Sequence, residues 1–213
     1  MVVHPLHTDI PKPERFTYPF NYEPHPLCLL AAKEVQQEIA RINPQEGKMF
    51  GVLVVEMDDV GGMMDDGRRK GRIGFLAAYS GLLEGRNDWD YFVPPVYDAQ
   101  QPDGYFKTKE REISELVHLT GGQTPCEVWL KEGLYPCETK ELSQNLQEWL
   151  FHQYQLLNAR GEVKDLVDIW QDYYDRPKLR NKYPLPPSGT GDCCAPKLLQ
   201  YAYRQGLKPV CMA

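Results

Sequence analysis

KMFGVLVVE at residues 48–56 and RIGFLAAYS at residues 72–80 are the two stretches that decide the fold. Each is a short and nearly continuous apolar run, and both the composition and the length are typical of a β-strand. Two such strands in succession indicate an antiparallel hairpin. Because neither run alternates between apolar and polar positions, we expect a sheet that is covered on both faces.

Helical patterns surround this hairpin. Residues 27–42 place apolar side chains at helical spacing up to Asn43-Pro44, residues 108–118 form a short helix, and residues 192–206 form a last helix that leads into a strand from Leu207. The pattern predicts an α/β (α+β) domain with a mixed sheet, an antiparallel hairpin and flanking helices. Leu198, Leu199 and Ala202 are expected to face the sheet.

The remaining segments predict a single domain with additions. Residues 1–26 are rich in proline and aromatic side chains. The prolines predict a segment without regular structure, and the aromatic side chains indicate that it packs along a surface. Residues 27–213 form the α/β domain. Two apolar stripes at about 140–158 and 162–175 predict a helical-hairpin insertion that buries Trp149 and Trp170.

Composition narrows the functional classes. The net charge of −6 gives no overall basic footprint, no apolar run approaches the roughly 18 residues of a membrane helix, and the first residues lack a secretory signal. The six cysteines are irregularly spaced and form no CxxC pair. We therefore expect reduced thiols, a cytoplasmic location and no membrane association.

The densest group of chemically capable side chains lies in SGTGDCCAPKLL at residues 188–199. A glycine-rich turn feeds a helix whose start contains an acid, two thiols and an amine. Helix starts bind anions and lower the pKa of thiols, which favours a functional site. Alternatively, Asp192 is only an N-cap, Pro196 suits the first turn and the thiols pack. The site residues on the functional interpretation are Gly189, Gly191, Asp192, Cys193, Cys194 and Lys197.

The same segment can be compared with the zinc deaminases, in which a His or Cys ligand is followed two residues later by a catalytic Glu. Cys194 occupies the ligand position, but Pro196 occupies that of the Glu and cannot transfer protons. The order of hairpin, helix and strand predicts a cytidine-deaminase-like layout without its chemistry. Neighbouring Cys193 and Cys194 point about 100° apart on a helix. A full tetrahedral ligand set is therefore missing, and we expect no metal and no cofactor.

Two basic runs could contact phosphates. The first contains Arg68, Arg69, Lys70 and Arg72, and the second contains Arg176, Lys178, Arg180 and Lys182. Solvated charged loops are the ordinary alternative for both.

Four segments together resemble one known family. GKMFGVLVV, GRIGFLAAYSG, YFVPPVYD and SGTGDCCAPKLLQYAYRQGLKPVCMA are similar to the long N-terminal region of certain bacterial RNA pseudouridine synthases of the RluA family, over most of residues 18–213. The resemblance implies that a synthase domain with a catalytic Asp in a His-Arg-Leu-Asp motif follows in the same polypeptide. That motif is absent from this sequence, so no catalytic residue is carried over.

The resemblance implies an accessory role in converting uridine to pseudouridine in rRNA or tRNA, either by positioning RNA or by supporting the synthase domain. It also implies a chain that continues beyond Ala213, where further cysteines could join Cys193 or Cys194. Two alternatives stay open: an inactive or divergent zinc-dependent nucleoside or nucleotide deaminase-like domain, and a structural interaction domain.

Overall fold

The computed structural model describes residues 2–17, 23–57, 72–119, 136–175 and 181–213. Its helices and strands place the protein in the α+β class, as predicted. The strands are β1 (His4–Pro5), β2 (Phe50–Met57), β3 (Arg72–Tyr79), β4 (Gln155–Leu157), β5 (Val163–Asp165) and β6 (Lys208–Met212). The helices are α1 (Pro26–Ile42), α2 (Tyr105–Leu119), α3 (Pro136–Gln153), α4 (Leu166–Tyr173) and α5 (Cys194–Arg204).

The central sheet has the strand order β1-β3-β2-β6. The predicted hairpin is confirmed, because β2 and β3 pair antiparallel from Phe50 opposite Tyr79 to Met57 opposite Arg72. The sheet was expected to be mixed, yet its strands pair antiparallel throughout. A parallel pairing occurs in the isolated bridge between Thr17 and Cys211.

Both faces of the sheet are buried, as the continuous apolar strands predicted. Alternate side chains of a strand point to opposite faces. Val52 and Val54 pack with α1, whereas Leu53 and Val55 pack with α5. Leu198 and Ala202 of α5 are fully buried on their face, and Leu199 packs against the same cluster. The predicted orientation of the last helix is therefore confirmed.

The N-terminal segment was predicted to lack regular structure, and this is wrong for His4–Pro5. These residues pair with Gly74 and Phe75 as an edge strand. Proline is tolerated there because an edge strand needs hydrogen bonds on one side only. Gly74 permits the close approach, since a Cβ at this position would lie 2.8 Å from the His4 carbonyl oxygen.

The chain divides into two compact units. One contains residues 1–96, 156–163 and 189–213 and includes the central sheet, and the other contains residues 97–155 and 164–188. In the second unit α3 packs against both α2 and α4. The predicted pair of helices at about 140–175 is present, but the short strands β4 and β5 separate the two helices and shorten the second. The prediction that the pair buries Trp149 and Trp170 is confirmed only in part, because both side chains are partly buried. No helix within the described ranges has the length and apolar character needed to span a membrane.

Candidate functional site at the start of helix α5

The start of α5 is built by a tight turn. Gly189 adopts a left-handed backbone with φ 79, and a single turn of 3-10 helix follows at Thr190–Asp192. The extended residue Cys193 then occupies the N-cap of α5 and makes no side-chain capping hydrogen bond. The alternative that Asp192 is the N-cap is therefore wrong.

Lys197 is the most unusual residue of this site. It is only 3% exposed, on a helix that packs against the sheet. Its Nζ donates a hydrogen bond of 3.1 Å to the carbonyl oxygen of Tyr79, and it lies 3.7 Å from Asp192 Oδ1. The same ammonium lies 5.4 Å from the centre of the Tyr79 ring. Lys197 therefore ties the first turn of α5 to the end of β3.

Cys194 lies against the backbone of the hairpin. Its single S–H proton is shared between the carbonyl oxygens of Met49 at 3.5 Å and Ala78 at 3.6 Å. Burial raises the pKa of this thiol to about 11, although the charge of Lys197 opposes the shift. We expected the helix start to lower the pKa, and this is wrong because desolvation outweighs the lowering effect of the Lys197 charge. At neutral pH the Cys194 thiol is therefore protonated, which makes it a hydrogen-bond donor and a poor nucleophile.

Gly51 makes the close packing of Cys194 possible. A Cβ on Gly51 would lie 2.8 Å from Cys194 Cβ and 3.5 Å from the carbonyl oxygen of Ala213. Sequence reasoning missed both Gly51 and Tyr79 as members of the site. A signal for Gly51 existed, because a glycine inside an apolar strand often marks a close approach by another part of the chain.

The other thiols that the structure describes, those of Cys28, Cys193 and Cys211, form no metal site with Cys194. Cys193 Sγ turns back toward the carbonyl oxygen of Gly189 at 3.6 Å. Cys28 and Cys211 are fully buried in the cluster under α1, where hydrogen bonding to Cys211 and burial raise the pKa of Cys28. Within the described residues, no three His, Cys, Asp or Glu side chains are grouped to hold a metal ion.

The structure brings the predicted helix-start residues together but describes the basic runs only in part. Arg68, Arg69, Lys70, Arg176, Lys178 and Arg180 lie outside the described residues. Arg72 is exposed at the first position of β3. Lys182 is exposed, and its Nζ lies 5.1 Å from the centre of the Tyr183 ring.

An apolar cavity of about 240 Å³ lies on the α1 side of the sheet and is lined by residues that include Val35, Ile39, Phe50 and Val52. Its lining side chains are apolar except for the amide of Gln36, so it offers little to orient a polar nucleoside. The groups with chemical capacity, Lys197 and Cys194, belong to the helix on the other face.

Comparison with protein-family models, with curated proteins and with solved structures finds no match for this chain. The chemistry of its own residues is therefore what bears on function.

Proposed function

We propose that this chain is an RNA-binding accessory region of an RNA pseudouridine synthase, active in the cytoplasm beside a synthase domain of the same polypeptide. The sequence segments around the hairpin and the α5 start motivate the family. The missing His-Arg-Leu-Asp motif argues that the region assists catalysis and does not perform it.

The proposal depends mainly on one observation: the functional groups at the start of α5 are engaged in contacts within the protein. Lys197 binds the Tyr79 carbonyl, and the Cys194 thiol donates to backbone carbonyl oxygens with a pKa of about 11. These groups stabilise the packing of α5, and a substrate would have to compete with those contacts. Arg72 and Lys182 are exposed cations, and the phosphate backbone of RNA is a ligand that suits exposed cations.

Titration of a labelled RNA by fluorescence anisotropy tests this proposal. The test variant carries Arg68→Gln, Arg69→Gln, Lys70→Gln and Arg72→Gln. A matched variant with the same charge change carries Arg15→Gln, Lys33→Gln, Arg160→Gln and Arg204→Gln, all at exposed positions. We expect weaker binding and a shallower salt dependence in the test variant only, since each lost phosphate contact removes about 0.7 from the slope for single strands. If both variants weaken RNA binding equally, the binding reflects the overall charge of the chain and not a site at residues 68–72, which would contradict the proposal.

The accessory role makes a second prediction. The purified chain should bind RNA without converting uridine to pseudouridine, as measured by mass spectrometry of the digested RNA. Isomerisation by the chain alone would refute the accessory role.

One observation favours a divergent deaminase-like domain as a second candidate. Cys194 begins a helix that packs on an antiparallel hairpin, and strand β6 follows. The Pro196 side chain and the neutral Cys194 thiol are unfavourable for zinc chemistry. One zinc per chain that is lost in Cys194→Ser, together with deamination of cytidine, would favour this candidate. A chain with neither zinc nor RNA affinity would fit a structural interaction domain.

A further inference from the structure

Four aromatic rings form a connected cluster in the second compact unit, where we call them the aromatic cluster: Trp170, Tyr173, Tyr174 and Tyr183. Tyr174 is the centre, with its ring 4.8 Å from Trp170, 5.0 Å from Tyr173 and 5.4 Å from Tyr183. The indole of Trp170 also donates a 2.9 Å hydrogen bond to the carbonyl oxygen of Tyr183. The cluster is held by ring contacts and by a directed hydrogen bond, so its rings have defined positions.

The outer rings of the cluster face water. Tyr173 is 77% exposed and Tyr183 is 40% exposed, and neighbouring Ile169 is 37% exposed. A tyrosine as open as Tyr173 gains little from the hydrophobic effect in the folded chain. Ring faces that are both fixed and exposed are the feature on which nucleic-acid bases stack in proteins that bind single strands.

We propose that the aromatic cluster is a stacking platform for the bases of single-stranded RNA. This rests on the proposed function and names the form of RNA that the region binds. Stacking needs bases whose faces are free, and in a duplex those faces are already covered by neighbouring base pairs. Loops and single-stranded segments are therefore the expected ligand.

The charges around the aromatic cluster indicate the path that the backbone of a bound RNA strand would take. Lys182 holds its ammonium over the Tyr183 ring, 5.1 Å from the ring centre. A base that stacks on this face must displace the ammonium, which can then meet the phosphate of the same nucleotide. On the α4 side, Asp168 and Asp175 are exposed, and Asp172 pairs with Lys164 at 2.5 Å. The carboxylates of Asp168 and Asp175 repel phosphates, whereas Lys164 compensates the charge of Asp172. The backbone is therefore expected to pass Lys182, while bases extend toward Tyr174 and Tyr173.

A polyuridine oligonucleotide carrying a fluorescent label is the probe, and binding is measured by anisotropy with the full chain. We expect Tyr173→Ala and Tyr183→Ala each to weaken binding about tenfold, while Tyr173→Phe and Tyr183→Phe bind as the unchanged chain does. Leu142→Ala is the matched control, because Leu142 is a 42% exposed side chain of the same compact unit and has no aromatic ring. Circular dichroism verifies the fold of each variant.

The salt dependence of RNA binding distinguishes the contribution of stacking from that of charge. The alanine variants should keep the salt dependence of the unchanged chain, whereas Lys182→Gln should make it shallower. A duplex RNA of the same length should bind more weakly than the single strand and should be insensitive to Tyr173→Ala.

The outcomes distinguish this inference from the proposed function. If the chain binds RNA and the alanine variants bind equally well, the stacking platform is refuted while the accessory role stands. If the chain binds no RNA at low salt, both fail, and the cluster is then better explained as a protein-binding surface. A preference for duplex would also refute the platform.

Discussion

At the scale of single residues, Lys197 shows how a charged side chain can be buried in this protein. A buried ammonium without partners is costly. Here a carbonyl oxygen, a carboxylate and an aromatic ring surround it, and the carbonyl belongs to the residue at the end of β3. Because the lysine stem packs along apolar surface, one side chain satisfies a polar group and contributes to the core.

Gly51 allows a direct test of the packing beneath α5. In Gly51→Ala the new methyl group would lie 2.8 Å from Cys194 Cβ, so either the helix or the strand must move. We expect the free energy of unfolding to fall by about 1–3 kcal/mol, as overpacked cores do. Urea denaturation followed by circular dichroism measures the change. The matched substitution is Gly47→Ala, where no atom lies within 4 Å and little change is expected.

The pKa of Cys194 predicts its reactivity. With a pKa of about 11, only about a thousandth of this thiol is ionised at pH 8. We expect alkylation by iodoacetamide to be roughly 100-fold slower in the native chain than in the unfolded chain. The native rate should rise about tenfold per pH unit above pH 8. The experiment uses the Cys193→Ala variant, so that alkylation of this peptide in mass spectrometry reports on Cys194 alone. An alkylation rate that stops rising below pH 9 would contradict the raised pKa of Cys194.

At the scale of secondary structure, helix α4 depends on its cap. Asp165 Oδ1 accepts a 2.8 Å hydrogen bond from the Asp168 amide, and its Oδ2 lies 2.7 Å from His152 Nδ1. Partial burial raises the pKa of Asp165, but these hydrogen bonds outweigh it and the pKa is lowered overall. The ionised carboxylate therefore stabilises both the start of α4 and its connection to the end of α3.

This cap gives a prediction with a defined pH dependence. Because the folded pKa of Asp165 lies below its unfolded value, the folded state binds fewer protons, and the stabilisation is present above the unfolded pKa of about 3.9. We expect Asp165→Asn to cost about 0.5–1 kcal/mol at pH 7, since asparagine keeps the cap but loses the charge. The cost should vanish as the pH falls through the folded pKa. Asp175→Asn, at an exposed residue beyond α4, should show no such trend in urea titrations.

Sequence patterns were sufficient for elements that depend on local periodicity. The β2–β3 hairpin, α1 and α5 follow from apolar spacing and from the stop at Asn43, which adopts a left-handed φ of 51. Features set by contacts between distant parts of the chain were missed. Strand β1 exists because β3 offers an edge, and Cys193 displaced Asp192 from the cap because a turn of 3-10 helix intervenes. The raised pKa of Cys194 likewise depends on burial against β2 and β3.

At the scale of the whole molecule, the N-terminal segment contacts both edges of the sheet. His4–Pro5 pairs with β3, whereas the Thr17 carbonyl oxygen accepts a 2.9 Å hydrogen bond from the amide of Met212 at the end of β6. Between these points Leu6 is buried in the core at 8% exposure. The segment therefore belongs to the fold, although its proline content resembles that of a loose tail.

Substitution of Leu6 tests how much the N-terminal segment contributes to the free energy of unfolding. We expect Leu6→Ala to lower the free energy of unfolding by about 2 kcal/mol, because a buried leucine is replaced by a cavity. Leu29→Ala, at a 51% exposed position of α1, should have a much smaller effect. Thermal unfolding of both variants gives the comparison. Equal effects would mean that the N-terminal segment is not docked in solution.

The pairing of β2 with β6 has a consequence for biosynthesis. About 150 residues separate the end of β2 from the start of β6. At ordinary translation rates the ribosome needs roughly 10–30 seconds to make them. During that time the hairpin can form while the β6 side of β2, with Leu53, Val54 and Val55, remains unpaired. We expect nascent chains stopped within this interval to be bound by chaperones and to aggregate when released.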